Sequence, residues 1–268
     1  MSTVNSSDEH DNGETRGIAA LKNGVAVLRA FSVEDPVLGV SEIAAKMGLH
    51  KSTVSRILAT LEQEDLVERD GDGRRFRLGL GVIGMAGPLL ADLDVRRVAY
   101  PYLTDLSRRV GETVALMVWD GSESVCVEQV PSRHQVKHTT PLGTRYNTAA
   151  SSSVQVFLAH FDAFTVRRLV TSGAIDLPGA DEAVLEAFTL RLREVVERGY
   201  ALNYGETSLE EVGIAAPVVD HRGDAVAAVL VSAPRFRVSR EQAVAIADAV
   251  RGCADDISKR LGGQPVTS

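Results

Sequence analysis

Residues 49–67 read LHKSTVSRILATLEQEDLV, and their reading decides the N-terminal fold. Val54, Ile57, Leu58 and Leu61 recur at i, i+3, i+4, i+7, the spacing of a helix with one buried stripe. Turning that stripe into a core forces Lys51, Ser52, Ser55, Arg56, Ala59 and Gln63 outward. The outward face is small, polar and cationic at its start, in a chain of 268 residues whose formal net charge is −7. A local exception of that kind in an acidic protein asks for a local reason.

The neighbouring sequence supplies one. Upstream, LKNGVAVLRAF (21–31) places Leu21, Val25, Leu28 and Phe31 on one helical face. Ser41 is a suitable N-cap for EIAAKM, and Gly48 suits the left-handed residue that ends such a helix. Downstream, LVERDGDGRRFRLGL (66–80) reads as strand, Asp/Gly turn at 70–73, and strand. Three helices followed by a hairpin is the order of a winged helix-turn-helix, whose last helix enters a major groove about 12 Å wide. Lys51, Ser52, Thr53, Ser55 and Arg56 are then the candidate DNA contacts on the helix, and Arg74, Arg75 and Arg77 those on the wing. Ser52, Thr53, Ser55 and Arg56 suit bases, whereas Lys51 and the wing arginines suit phosphates. Residues 41–77 hold seven Lys/Arg and seven Asp/Glu, so the reading requires the two signs to be separated in space.

The rest of the chain is of another kind. Residues 81–94, GVIGMAGPLLADLD, form a helix-prone connector broken by Gly84, Gly87 and Pro88. Beyond it, hairpins alternate with helices. ETVALMVWDGSESVCVEQV turns at Asp120–Gly121, and GIAAPVVDHRGDAVAAVLVSAP turns at Arg222–Gly223. VQVFLAHF continues as a helix with Val154, Phe157, Leu158 and Phe161 on one face. Asp181 to Gly199 spans another, with Leu185, Phe188, Leu192 and Val195 inward. Ser239 and Gln242 form a capping box for the last helix. This is an α+β arrangement on a mainly antiparallel sheet. Thr148, Ala149, Ala150 and Ser151 precede the helical pattern that starts at Val154. Their backbone amides are therefore expected at a helix N-terminus, where an anion binds.

Other classes of function find little support. No apolar run approaches the ~20 residues that span a bilayer, and MSTVNSSDEHDNGETRG is too polar and acidic for a signal peptide. Cys126 and Cys253 stand apart from any CxxC, which leaves neither a disulfide framework nor a zinc site and makes a reducing cytoplasm the default. The Ser151–Ser153 run lacks a GxSxG elbow, the histidines lack metal-ligand spacing, and Gly79-x-Gly81 is too short a motif for a nucleotide. No catalytic residue, metal or cofactor is expected.

With these residues in hand the chain resembles the IclR (isocitrate lyase regulator) family of bacterial transcription factors. The likeness covers nearly all of residues 18–262 and rests on SEIAAKMGLHKSTVSRILATLEQEDLV, RRFRLG, TTPLGTRYNTAA and GIAAPVVDHRGDAVAAVLVSAP. It implies a winged helix-turn-helix over 18–80, a linker helix over 81–94, and a GAF-like α/β effector-binding domain over 95–262. Residues 1–17 and 263–268 are left as disordered tails. It further implies a homodimer or tetramer on operator DNA, controlling catabolic genes in response to a small organic acid-like effector. By that resemblance the effector site also takes in Met117, Asn203, Gly213 and Ser232. The family's loop reads His-x-Thr-Ala-x-Gly-Lys-Ala, whereas here Tyr146 to Ser153 replace its His, Gly and Lys. An alternative is a metabolite-binding or enzymatic C-terminal domain beside a protein-interaction module.

Overall fold

The computed structural model describes residues 8–32, 34–71, 73–92 and 94–263. The chain divides into two compact units, Met1–Asp92 and Leu93–Ser268. Residues 1–7 and 264–268 of the expected tails lie outside the described residues. Residues 8–17 instead open the first helix.

In the first unit, α1 (Asp8–Arg29) precedes β1 (Leu38–Gly39), α2 (Val40–Met47), α3 (Lys51–Gln63), β2 (Val67–Asp70), β3 (Arg75–Leu78) and α4 (Gly81–Asp92). The core is closed by Val27, Phe31, Leu38, Ile43, Val54, Leu58, Val67 and Phe76. The α3 stripe is as predicted: Val54 and Leu58 are fully buried, with Ile57 and Leu61 packed beside them. The phase of α1 is not. Leu21 and Val25 are exposed, and Val27, Ala30 and Phe31 face the core. Nor does Ser41 cap α2. Pairing of β1 with β3 fixes the chain up to Gly39, so the helix opens there, and the Glu42 carboxylate accepts the Gly39 amide at 2.6 Å. The wing is a three-stranded sheet in the order β1-β3-β2, with Gly73 donating to the Asp70 carbonyl at its tip.

The second unit contains α5 (Asp94–Val110), β4 (Thr113–Trp119), β5 (Ser124–Val130), β6 (Arg145–Tyr146), α6 (Ser152–Leu158), α7 (Ala163–Thr171), α8 (Glu182–Arg198), β7 (Ala201–Tyr204), β8 (Glu211–Val219), β9 (Ala225–Pro234) and α9 (Arg240–Arg260). Six strands form one antiparallel sheet in the order β6-β5-β4-β9-β8-β7. Alternation along each strand sends Leu116, Ile214 and Val231 to the α5/α9 face, and Ala115, Met117, Ala215 and Leu230 to the α6 face. Both faces are covered, and the sheet residues are accordingly small and apolar. The expected capping box of α9 is present, with Ser239 Oγ and Gln242 Oε1 each accepting the other residue's amide. α6 ends at Leu158, earlier than predicted. Phe161 lies beyond it, its ring centroid 5.8 Å from that of Trp119.

Candidate functional site

Two sites follow from the two units. On α3, His50 occupies the N-cap position; its Nδ1 accepts the Ser52 amide at 3.3 Å and lies 2.7 Å from Ser52 Oγ. Lys51, Ser52, Ser55 and Arg56 are exposed and Thr53 is half-buried, all on the side away from Val54 and Leu58. Neither Lys51 nor Arg56 carries an ion pair among the described residues.

The wing arginines differ. Arg75 is held by the Glu42 carboxylate at 3.0 Å and the Val37 carbonyl at 2.7 Å. Arg77 is held by Glu68 at 2.6 Å and Asp70 at 3.7 Å, and Arg69 by Glu62 at 2.8 Å. Arg74 is exposed at the start of the return strand and is itself engaged. This resolves the even count of charges over 41–77. Acids of α2, α3 and the wing neutralise Arg69, Arg75 and Arg77, which leaves the opening of α3 as the uncompensated cationic spot. The pairs are about half exposed, the class worth roughly 0–1 kcal/mol, so they hold the side chains only loosely.

In the second unit, strand register gathers a polar row. Asn203 of β7 lies opposite Gly213 of β8, Gly213 opposite Ser232 of β9, and Ser232 opposite Thr113 of β4. Facing residues on neighbouring strands project to one side, here the side covered by α6. A Cβ at Gly213 would sit 3.1 Å from Ser152 Oγ. Thr140 reaches the row from the loop between β5 and β6, its Oγ1 3.4 Å from Ser232 Oγ. Thr113 Oγ1 donates to the His138 carbonyl and so ties the same loop to β4.

The remaining predicted positions fall around this row or away from it. Asn203 is buried, and its Oδ1 accepts the Glu206 amide at 2.8 Å and the Thr207 amide at 3.3 Å while its Nδ2 donates to Thr207 Oγ1. Most of its bonding capacity is therefore spent on its own loop. Met117 is fully buried four residues along β4 from Thr113, about 13 Å at a strand's rise, among Cys126, Val156 and Phe157. Ala149 packs in a separate cluster with α7 and α8.

The expected anion cradle is absent from Thr148–Ser151, a correction with a plain cause. The Ala149 amide donates to the Asp176 carbonyl, the Ala150 amide to Thr148 Oγ1, and the Ser151 amide to the Thr148 carbonyl. The Ala149 and Ala150 carbonyls accept from Gln155 Nε2. The α6 helix has seven residues, all buried, too short to offer a useful dipole.

Sequence reasoning missed Ser124, Thr140 and Glu211. Ser124 Oγ donates to Ser153 Oγ at 2.9 Å. Tyr146 lies half-buried on β6, and its hydroxyl is pushed above the usual phenol range by burial and then by the Glu211 carboxylate, with Thr140 bonding in opposition. Only strand register identifies these residues, and register is not visible in one strand read alone.

Comparison with known proteins places both units. Residues 88–259 match the family described as bacterial transcriptional regulator IclR C-terminal, and residues 20–71 match the IclR helix-turn-helix domain. The chain is similar to the HTH-type transcriptional repressor AllR of Salmonella typhimurium (strain LT2), 28% identical over 259 residues, covering 93% of this chain and 92% of that one. A solved domain of an IclR-family transcriptional regulator is 59% identical with TM-score 0.62, over 63% of this chain and 98% of its own. An IclR homologue from Microbacterium hydrocarbonoxydans, solved in complex with 4-hydroxybenzoate, is 26% identical with TM-score 0.75, over 90% of this chain and 98% of its own. The curated relatives are transcriptional repressors, not enzymes. Among the described residues no helix is long and apolar enough to cross a membrane.

Proposed function

The chain belongs to the IclR family of bacterial transcriptional regulators, and from that premise we propose that it binds operator DNA as a homodimer or dimer of dimers, under the control of a small-molecule effector held within residues 95–262. The observation that carries this reading is the outward face of α3. Ser52, Ser55 and Arg56 are exposed opposite a fully buried Val54–Leu58 stripe, and the cations at the helix start have no acid to neutralise them. Short side chains bring the helix backbone close to base edges, and Arg56 suits a guanine. Lys51 is placed for phosphate, and Arg74, Arg75 and Arg77 reach phosphate by exchanging their present partners for it.

So few phosphate contacts per module favour two copies on two half-sites. Exposed apolar side chains in the first unit, Leu80, Ile83 and Met85, offer surface that a second copy would cover. A homologue holding 4-hydroxybenzoate supports a small-molecule ligand for the second unit. The organic-acid expectation rested on free amides before α6, and those amides are taken, so the reading here extends only to a small molecule. Effector binding would shift the balance between two arrangements of the DNA-binding pair by as much as it prefers one of them. Control of catabolic genes in the cytoplasm completes the proposal.

The experiment is a mobility shift of the full chain on the duplex upstream of its own gene, against a shuffled duplex of equal length. Retention of the native duplex at salt concentrations that release the shuffled one supports the reading. Equal affinity for both at every salt concentration would remove sequence recognition.

A further inference from the structure

The polar row described above is an unfinished site, and its chemistry restricts what completes it. This inference rests on the reading of residues 95–262 as an effector domain and goes on to the charge of the effector. Ser152 is 2% exposed, yet its hydroxyl has no hydrogen-bond partner among the described residues. It hangs over Gly213, the one position in the row without a side chain. A buried hydroxyl left unpaired is costly and needs an explanation. The open place beside it has Ser232 on one flank and Asn203 on the other.

The charges around this place have one sign. Glu211 is two residues from Gly213 on β8 and so projects to the same face. It carries no ion pair among the described residues, and its one side-chain hydrogen bond is from Thr207 Oγ1 at 3.3 Å. The charged neighbours that act on the Tyr146 hydroxyl are Glu211 and Cys126, both of which raise it. Guanidinium groups on adjoining elements are engaged elsewhere. Arg191 binds Gln155, the Leu202 carbonyl and Glu206, and Arg235 lies over the Tyr204 ring and donates to the Leu209 carbonyl. The His138 ring faces the Glu210 carbonyl. The amides before α6 are occupied, as shown above.

A carboxylate entering over Gly213 would lose its hydration, meet no cation or free amide, and face Glu211. An amide or hydroxyl group meets Ser152, Ser232 and the Tyr146 hydroxyl as partners, and Glu211 as an acceptor. We propose that the effector is an uncharged small molecule bearing hydroxyl or amide groups, seated between Ser152 and Gly213 and donating a hydrogen bond to Glu211.

The test is calorimetry on the full-length protein with pairs matched in shape and differing in charge. These are 4-hydroxybenzamide beside 4-hydroxybenzoate, lactamide beside lactate, and succinamide beside succinate. The proposal expects amides among the binders, each about tenfold or more tighter than its acid, with the ratio shrinking in Glu211→Gln. It also expects Gly213→Ala, whose methyl group fills the seat, to weaken the amide while the protein keeps its melting temperature within a few degrees. Tighter binding of the acids, an unchanged ratio in Glu211→Gln, or failure of every amide to bind would each overturn it. Operator binding is measured in parallel. A chain that holds its operator yet prefers acids fails this inference alone, whereas a chain that ignores its operator fails the reading beneath it.

Discussion

Gly79 and Gly81 carry no side chain because none fits. A Cβ at Gly79 would lie 2.3 Å from the Asp65 carbonyl oxygen, and one at Gly81 would lie 2.6 Å from the same atom. The glycine pair therefore serves a close pass of two backbones after the wing, closed by Gly81 donating to Asp65 and Gly79 to Leu66. Backbone does not move aside as a flexible side chain does. Gly79→Ala is therefore expected to cost about 1–3 kcal/mol in chemical unfolding. Gly84→Ala, with nothing within 4 Å of the new methyl, should be neutral or slightly stabilising. Equal effects would show that the close pass is not what constrains Gly79. Cys126 and Cys253 make a second point at this scale. Burial pushes both thiols up to about 12. At pH 8 about one thiol in ten thousand is then ionised, so neither should react with a disulfide reagent until the protein unfolds. Rapid labelling of the native chain would contradict the buried placement.

Elements differ in how much of their character the sequence carries. In α3 the apolar spacing alone gives the buried face, because nothing else competes for Val54 and Leu58. α8 is equally plain, bounded by Asp181 accepting the Val184 amide and by Gly199 in the left-handed region. The phase of α1 was misjudged because Leu21 and Val25 satisfy the spacing yet lie beyond the reach of the core. The α6 helix was misjudged in role. A serine run before an apolar stretch reads as a helix opening onto solvent, but here the whole element is buried between the sheet and α8. What could not be read at all was the row Asn203–Gly213–Ser232–Thr113, since its members come from four strands and meet only through register. The element junctions carry their own test. Glu112, at the entry to β4, is 3% exposed and holds Arg237 by contacts of 2.5 and 2.8 Å. Arg237 also donates to the Val136 carbonyl, so it links β4, the 131–144 loop and the approach to α9. Removing one member of a buried pair leaves the other charge uncompensated. Glu112→Ala should cost about 3–5 kcal/mol, measured by denaturant titration. A loss below about 1 kcal/mol would class the pair with the exposed ones of the wing.

At the scale of the molecule, a chain of net charge −7 must confine its attraction for a polyanion to a small area. The first unit does so by pairing Arg69, Arg75 and Arg77 with its own acids and leaving Lys51 and Arg56 unpaired. A surface so economical in cations gives weak binding per copy, which makes assembly part of the function. Ile83→Glu places a charge among the exposed apolar residues Leu80, Ile83 and Met85. It is expected to shift the protein toward monomer in sedimentation velocity and to weaken operator binding in step. A variant that stays assembled would move the interface to another surface. The most direct measurement is a pair of equilibrium affinities for Arg56→Ala beside the unaltered chain, on operator and on unrelated duplex at one salt concentration. The account predicts that operator affinity falls by about 1–3 kcal/mol, the worth of one good base contact, while affinity for unrelated duplex falls much less. An equal fall on both duplexes, or no fall on either, would contradict a base-reading role for the exposed face of α3.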